Sequence, residues 1–162
     1  MNLNIREVTL EDLEYVSDVE NRCFPKAEAA TKKSLEKRIK TFPDSFFVGE
    51  MEGKIIGFVN GCITDEKTIR DEMFSDSTLH KADGDYQTIF GLDVVPEYRR
   101  QGIAGKLMKH MIKVSKNRGQ KGVILTCKDK LIDYYSKFGF ENIGVSESTH
   151  GGATWYDMIL NH

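Results

Sequence analysis

The stretch Leu92-Asp93-Val94-Val95-Pro96-Glu97-Tyr98-Arg99-Arg100-Gln101-Gly102-Ile103-Ala104-Gly105-Lys106-Leu107 constrains this chain more than any other. An apolar strand ends at Val94-Val95-Pro96, a turn of small and basic residues follows, and an amphipathic helix begins. That helix, expected over residues 104–116, carries Leu107, Met108, Met111 and Ile112 on one stripe. A strand–turn–helix unit of this kind must lay its apolar helix face on a sheet, which commits the chain to an α/β architecture. Gly102, Ala104 and Gly105 let a ligand approach the backbone closely, and the first amides of the helix have no intrahelical partners. The unit is therefore expected to be an anion site, with a phosphate as its usual occupant.

The rest of the chain supplies what such a unit packs against. Strands are expected at residues 5–8, 46–51, 54–63, 87–95, 122–126, 141–146 and 154–160, giving a mixed, mostly antiparallel sheet of about seven strands. Helices over 10–22, 31–39 and 131–138 flank it, the first opened by Thr9 and Asp12 in a partial capping box, the second by Thr31. Glu52-Gly53 is a hairpin turn, and His150-Gly151-Gly152 turns the chain between the last two strands. Residues 65–84 form a long polar excursion with room for a short helix; such a loop in a compact domain is more often functional than decorative. With 162 residues, no repeat and no low-complexity tract, one α/β (α+β) domain over residues 1–162 is expected.

Several function classes drop out. Lys106-Leu107 stands where a nucleotide-hydrolysing P-loop ends in Gly-Lys-Ser/Thr, and no GxGxxG fingerprint is present. Gly102-Ile103-Ala104-Gly105 alone would fit an RNA-clamping GxxG loop, but a net charge of −2 and a pI near 6.1 argue against nucleic acid. Cys23, Cys62 and Cys127 form no CxxC pair, so no metal site is expected. The first residues contain no apolar signal segment and no apolar run is long enough to span a bilayer, so a cytoplasmic protein without a membrane partner is expected. The charge is unevenly spread: nine of the 23 basic residues and none of the 25 acidic ones fall within residues 99–128. The basic block coincides with the anion loop, and the acidic remainder would attract a cationic partner.

Arg99-x-x-Gly102-x-Ala104 after the Val94-Val95-Pro96 strand end resembles the acetyl-CoA pyrophosphate loop of the GNAT N-acetyltransferase superfamily. Downstream, Tyr135-Ser136-Lys137-Phe138-Gly139-Phe140 is similar to the family's tyrosine–basic–x–Gly–Phe signature. Two motifs in the right order are far more specific than either alone. Cys23-Phe24-Pro25, the Ala27-Glu28-Ala29-Ala30-Thr31 run, Phe42-Pro43-Asp44-Ser45-Phe46 and Thr78-Leu79-His80 resemble the arylalkylamine N-acetyltransferase branch.

The resemblance implies a GNAT fold with a splayed central strand pair, acetyl-CoA as acyl donor and a small primary amine as acceptor, in a monomer or homodimer. By position, the Leu92 N–H would face the thioester carbonyl and Val94 would pair with pantetheine amides. Main-chain amides of Arg100, Gln101, Gly102, Ala104 and Gly105 would hold the pyrophosphate, with Arg99, Arg100 and Lys106 adding charge. Tyr135 would protonate the departing thiolate. Phe24, Pro25, Glu28, Thr88 and Phe90 fall at the acceptor pocket. Thr88 and Phe90 replace the two histidines that serve the arylalkylamine enzymes as a water-linked base, and neither can act as one. Glu20, Glu28, His80, Asp93 or a chain of waters remain as bases, although strand alternation turns Asp93 away from Leu92. The implied activity is direct acetyl transfer to a primary amine, an arylalkylamine by the branch resemblance; a polyamine, an amino sugar or a peptide N-terminus is the alternative acceptor. A non-catalytic acyl-CoA-binding module is the rival favoured by the missing histidines.

Overall fold

A computed structural model describes residues 2–162. The chain order is β1 (Asn4–Glu7), α1 (Leu13–Cys23), α2 (Lys32–Thr41), β2 (Phe46–Met51), β3 (Lys54–Asn60), β4 (Ile63–Thr64), α3 (Glu72–Ser75), β5 (Tyr86–Ile89), β6 (Gly91–Val94), α4 (Ile103–Asn117), β7 (Gly122–Cys127), α5 (Ile132–Ser136), β8 (Glu141–Val145) and β9 (Tyr156–Asn161). The N-terminal helix forms as its first turn dictates: the Thr9 N–H donates to Asp12 Oδ2 at 2.8 Å, closing the capping box with a shorter acid. The Thr31 hydroxyl caps α2 by accepting from the Ser34 N–H at 3.1 Å.

The described strands number nine and make two sheets, ordered β1-β2-β3-β6 and β4-β5-β7-β9-β8. All pairs are antiparallel except β5 with β7. The increase over seven has one physical origin. The long strands expected at 54–63 and 87–95 each break where they cross from one sheet to the other, at Gly61-Cys62 and at Phe90. Gly61 permits the crossing because a Cβ there would lie 2.0 Å from the Thr88 carbonyl oxygen. Buried Gln87 ties the seam: its Nε2 donates to the Gly61 and Thr88 carbonyls at 2.8 Å each, and its Oε1 accepts from Ser45 Oγ at 2.9 Å. A fully buried amide this well satisfied fixes the kink rather than costing stability.

Helix α4 packs Leu107, Met108 and Met111 of its expected stripe into the core against the β2-β3-β6 face, joined by Ile103, while Ile112 stays half-buried. Helices α1 and α2 cover the opposite face, burying Val16, Val19, Leu35 and Ile39. The 65–84 excursion holds the short α3 and returns over the α2 side through Met73, Phe74 and Leu79.

Candidate functional site

The break at Phe90 creates the site. Up to Ile89, the strand pairs with β7 (Tyr86↔Gly122 through Ile89↔Leu125); beyond it, β6 joins β3 alone. The two central strands therefore diverge, with Leu92 and Val94 on one lip and Leu125, Thr126 and Cys127 on the other. The Val95 N–H bonds the Ile56 carbonyl at 2.9 Å, which by antiparallel alternation turns the polar groups of Asp93 and Gly91 toward β3 as well. The N–H groups of Leu92 and Val94 are left facing the gap. The Val94 carbonyl is already engaged, accepting from Arg99 Nε at 2.8 Å and from Cys23 Sγ at 3.4 Å.

At one end of the gap lies the turn into α4. Arg100 has φ +63° and Gly102 has φ +78°, a pair of left-handed residues that curls successive amides inward as an anion nest. The first intrahelical bond runs from the Lys106 N–H to the Gly102 carbonyl at 3.1 Å, so the amides of Ile103, Ala104 and Gly105 remain free at the positive end of a 15-residue helix.

One cavity of about 870 Å³ joins this turn to the gap and continues to an aromatic end between α1, α2 and the 148–155 loop. Phe74 and Phe90 meet there at 4.8 Å between centroids, His150 stacks on Phe74 at 5.2 Å, and the Arg38 guanidinium lies 4.8 Å over Phe90. Three chain segments are stitched together over it. His150 Nε2 bonds the Glu28 carbonyl at 2.9 Å, Lys128 pairs with the Glu28 carboxylate at 2.8 Å, and Asp71 holds Ser148 and the Thr149 N–H. The Trp155 indole N–H donates to the His150 carbonyl at 2.8 Å.

Tyr135, on α5, sits on the wall of the cavity, edge-on to Tyr134 and Phe140. Burial, reinforced by Cys127, Tyr134 and Asp93, raises its phenol above the ordinary tyrosine range, so it is protonated at neutral pH. Cys127 also lines the cavity, and burial pushes its thiol up to about 11, far from a thiolate.

Of the residues expected from sequence, Leu92, Val94, Arg99, Arg100, Gly102, Ala104, Gly105, Phe24, Pro25, Glu28, Phe90 and Tyr135 all border this cavity. Thr88, Gln101 and Lys106 do not. Thr88 is fully buried, its hydroxyl donating to the Cys62 carbonyl at 2.8 Å, because it lies before the break where the sheet is closed. Gln101 and Lys106 point to solvent from the outer side of the turn. His80 is also off the wall, its Nδ1 accepting from the Ile63 N–H at 3.0 Å.

Arg38, Phe74, His150 and Trp155 border the cavity without having been expected there. Arg38 had a readable signal, an arginine on the apolar stripe of Leu35 and Ile39; so did Phe74, the lone Phe, Tyr or Trp of the 65–84 excursion. Among the described residues no group of three or more His, Cys, Asp or Glu could hold a metal ion, and no helix is long and apolar enough to cross a membrane.

Residues 13–140 match the acetyltransferase (GNAT) family. The chain is 27% identical over 108 residues to serotonin N-acetyltransferase of Mesocricetus auratus, a stretch covering 66% of this chain and 51% of that protein. It thus spans about half the length of this curated relative. Its fold is similar to that of the loading GNATL domain of CurA from Lyngbya majuscula, with a TM-score of 0.83 and 17% identity over 99% of this chain and 98% of that one. It is also similar to the PaiA N-acetyltransferase from Thermoplasma acidophilum in complex with coenzyme A, with a TM-score of 0.75 and 18% identity over the whole of both chains.

Proposed function

The chain belongs to the GNAT acetyltransferase family, and on that premise we propose that it is an acetyl-CoA-dependent N-acetyltransferase whose acceptor is a small primary amine with an aromatic group. The observation that carries this reading is the continuity of one cavity from a helix N-terminus, past unpaired strand amides, to an aromatic chamber. The free amides of Ile103, Ala104 and Gly105, with Arg99 and Arg100 beside them, suit a pyrophosphate. The strand gap suits a narrow pantetheine arm, held through the Val94 N–H, since the Val94 carbonyl is occupied by Arg99. Coenzyme A in the PaiA structure supports the same ligand class.

In the reaction, the amine lone pair attacks the thioester carbonyl carbon. The Leu92 N–H donates to the developing oxyanion, a contact worth about 3–4 kcal/mol where such donors have been removed from comparable sites. The C–S bond then breaks with its electron pair on sulfur, and the Tyr135 phenol gives that sulfur a proton. Transfer is direct: burial keeps the Cys127 thiol protonated, so no acyl-cysteine route is favoured. Phe74, Phe90, His150 and Trp155 favour an aromatic acceptor over a polyamine, and the likeness to serotonin N-acetyltransferase points the same way. A thiol-release screen of arylalkylamines, polyamines, amino sugars and peptides with acetyl-CoA tests the assignment. Arylalkylamines should give the highest kcat/KM. Acetyl-CoA raising Tm without thiol release from any amine would leave only a binding module.

A further inference from the structure

A primary amine reaches the site as ammonium and must lose a proton before it can attack, which leaves open where that proton goes. Several candidate acceptors around the cavity are already engaged: Glu28 by Lys128, Asp71 by the 148–149 loop, and one ring nitrogen of His150, Nε2, by the Glu28 carbonyl. Glu20 and Asp93 differ. Glu20, on the last turn of α1, borders the cavity and is 6% exposed; its Oε2 accepts from the Ala30 N–H at 2.8 Å. Asp93, on β6, is 1% exposed, and neither of its carboxyl oxygens has a hydrogen-bond donor among the described residues. Alternation does turn Asp93 away from Leu92, but that face is the one to which α1 brings Glu20. A Cβ on Gly91 would lie 2.9 Å from Asp93 Oδ1 and 3.8 Å from Glu20 Oε1. The two carboxyl groups thus converge over the residue that precedes Leu92.

Like charges this close and this dry resist ionising together, so the last proton leaves such a pair only at raised pH. Burial first, and Glu20 second, hold Asp93 well above the usual carboxylate range. Arg38 of α2 opposes this as the nearest cation, anchored through Asn60 Oδ1 at 3.1 Å and the Phe74 carbonyl at 2.8 Å. The Cys23 thiol of α1 and the Tyr135 phenol of α5 face the pair as neutral groups. When both acids are ionised, the one guanidinium balances one of the two negative charges, and an incoming ammonium meets the other.

We infer that Glu20 is the base that takes the proton from the acceptor ammonium, with Asp93 as the positioning residue packed behind it on the buried side of the pair. This rests on the acetyltransferase reading above. With both carboxylates ionised, the ammonium N–H bond breaks and an O–H bond forms on Glu20, relieving the repulsion with Asp93. The freed nitrogen attacks, and its second proton, lost as the amide forms, restores the Tyr135 phenol that has protonated the sulfur. The proton on Glu20 is released to solvent, so one proton leaves per turnover, as conversion of an ammonium and a thioester to an amide and a thiol requires.

The test is the pH profile of kcat/KM for the wild type, Glu20→Gln and Asp93→Asn with the best arylalkylamine, alongside Tm and acetyl-CoA KM as checks of folding. Glu20→Gln should lower kcat by about 10²–10⁴-fold at neutral pH. Asp93→Asn should move the acidic limb down by about one pH unit or more, because the pair loses one of its two mutually repelling carboxyl groups, and lower the plateau. Both variants should keep the wild-type acetyl-CoA KM. Glu20→Gln turning over within threefold of wild type across the profile, or an acidic limb unmoved in Asp93→Asn, overturns the inference while the acetyltransferase reading stands. A wild-type protein that acetylates no amine overturns both.

Discussion

Replacing Gly105 by Ala separates the role of the α4 N-terminus in ligand binding from its role in folding. Gly105 occupies the third helical position with ordinary helical dihedrals, and its Cβ would meet only the Phe138 ring, at 3.9 and 4.0 Å. That is normal van der Waals contact, so the folded state accommodates the methyl group. The substitution also removes the excess backbone freedom of glycine from the unfolded chain, stabilising the protein by about 0.4–1 kcal/mol. For a chain of this size that raises Tm by about 1–4 °C. Gly105 itself borders the cavity, so the methyl group adds bulk next to an amide proposed to bind pyrophosphate. Alanine keeps the N–H, but crowding a phosphate oxygen off that amide would cost one hydrogen bond to a charged oxygen, about 1.5–3 kcal/mol, so acetyl-CoA KM should rise tenfold or more, as read by initial-rate thiol release. A variant with raised Tm and an acetyl-CoA KM within twofold of wild type would refute the pyrophosphate cradle at this residue.

Tyr135→Phe should lower kcat by about 10²–10⁴-fold while changing acetyl-CoA KM less than threefold in steady-state thiol release, because only the proton donor is lost. Trp155→Ala removes a wall of the aromatic chamber and the ring under Lys128; acceptor KM should rise roughly tenfold, about 1–2 kcal/mol, with acetyl-CoA KM unchanged. Asp12 is held below its ordinary pKa chiefly by its hydrogen bond from Arg6, so the stability it contributes is complete above about pH 4 and is lost as pH falls through the lowered value. Asp12→Asn should therefore unfold more readily than wild type in urea at pH 6–7, and the difference should shrink below pH 4.

The parts of the site that follow from local chemistry were legible in the sequence. Gly102 and the small residues after it announce a free helix N-terminus, and Leu107, Met108 and Met111 announce the face that docks it. Other parts depend on contacts between distant segments. Within Gln87–Val95 only Gly91 hints at a break beside Phe90, and the rest of the run is strand-like; the break is imposed by the crossing at Gly61 and the clasp of Gln87 on Ser45. The same break explains why Thr88 falls off the cavity wall while Phe90, two residues on, lies against Phe74 and Arg38. Trp155 and His150 reach the cavity through a loop whose course is set by Asp71, more than seventy residues earlier.

Splaying and proton transfer share one structural cause. Once β6 parts from β7, its freed edge exposes the Leu92 amide proposed to meet a thioester, while its other edge remains pinned to β3 and its Asp93 face is packed under α1. A carboxylate on that second face is sealed from water by the same helix that carries Glu20. A side chain at Gly91 would hold the two acids apart, since its Cβ would fall among Asp93, Asn60 and Glu20. An apolar residue at position 93 would leave Glu20 without its second carboxyl group and Arg38 with one fewer counter-charge. An isolated buried guanidinium beside a single acid would favour a neutral acceptor. With both acids ionised, the chamber would carry a net negative charge, which suits the proposed ammonium acceptor.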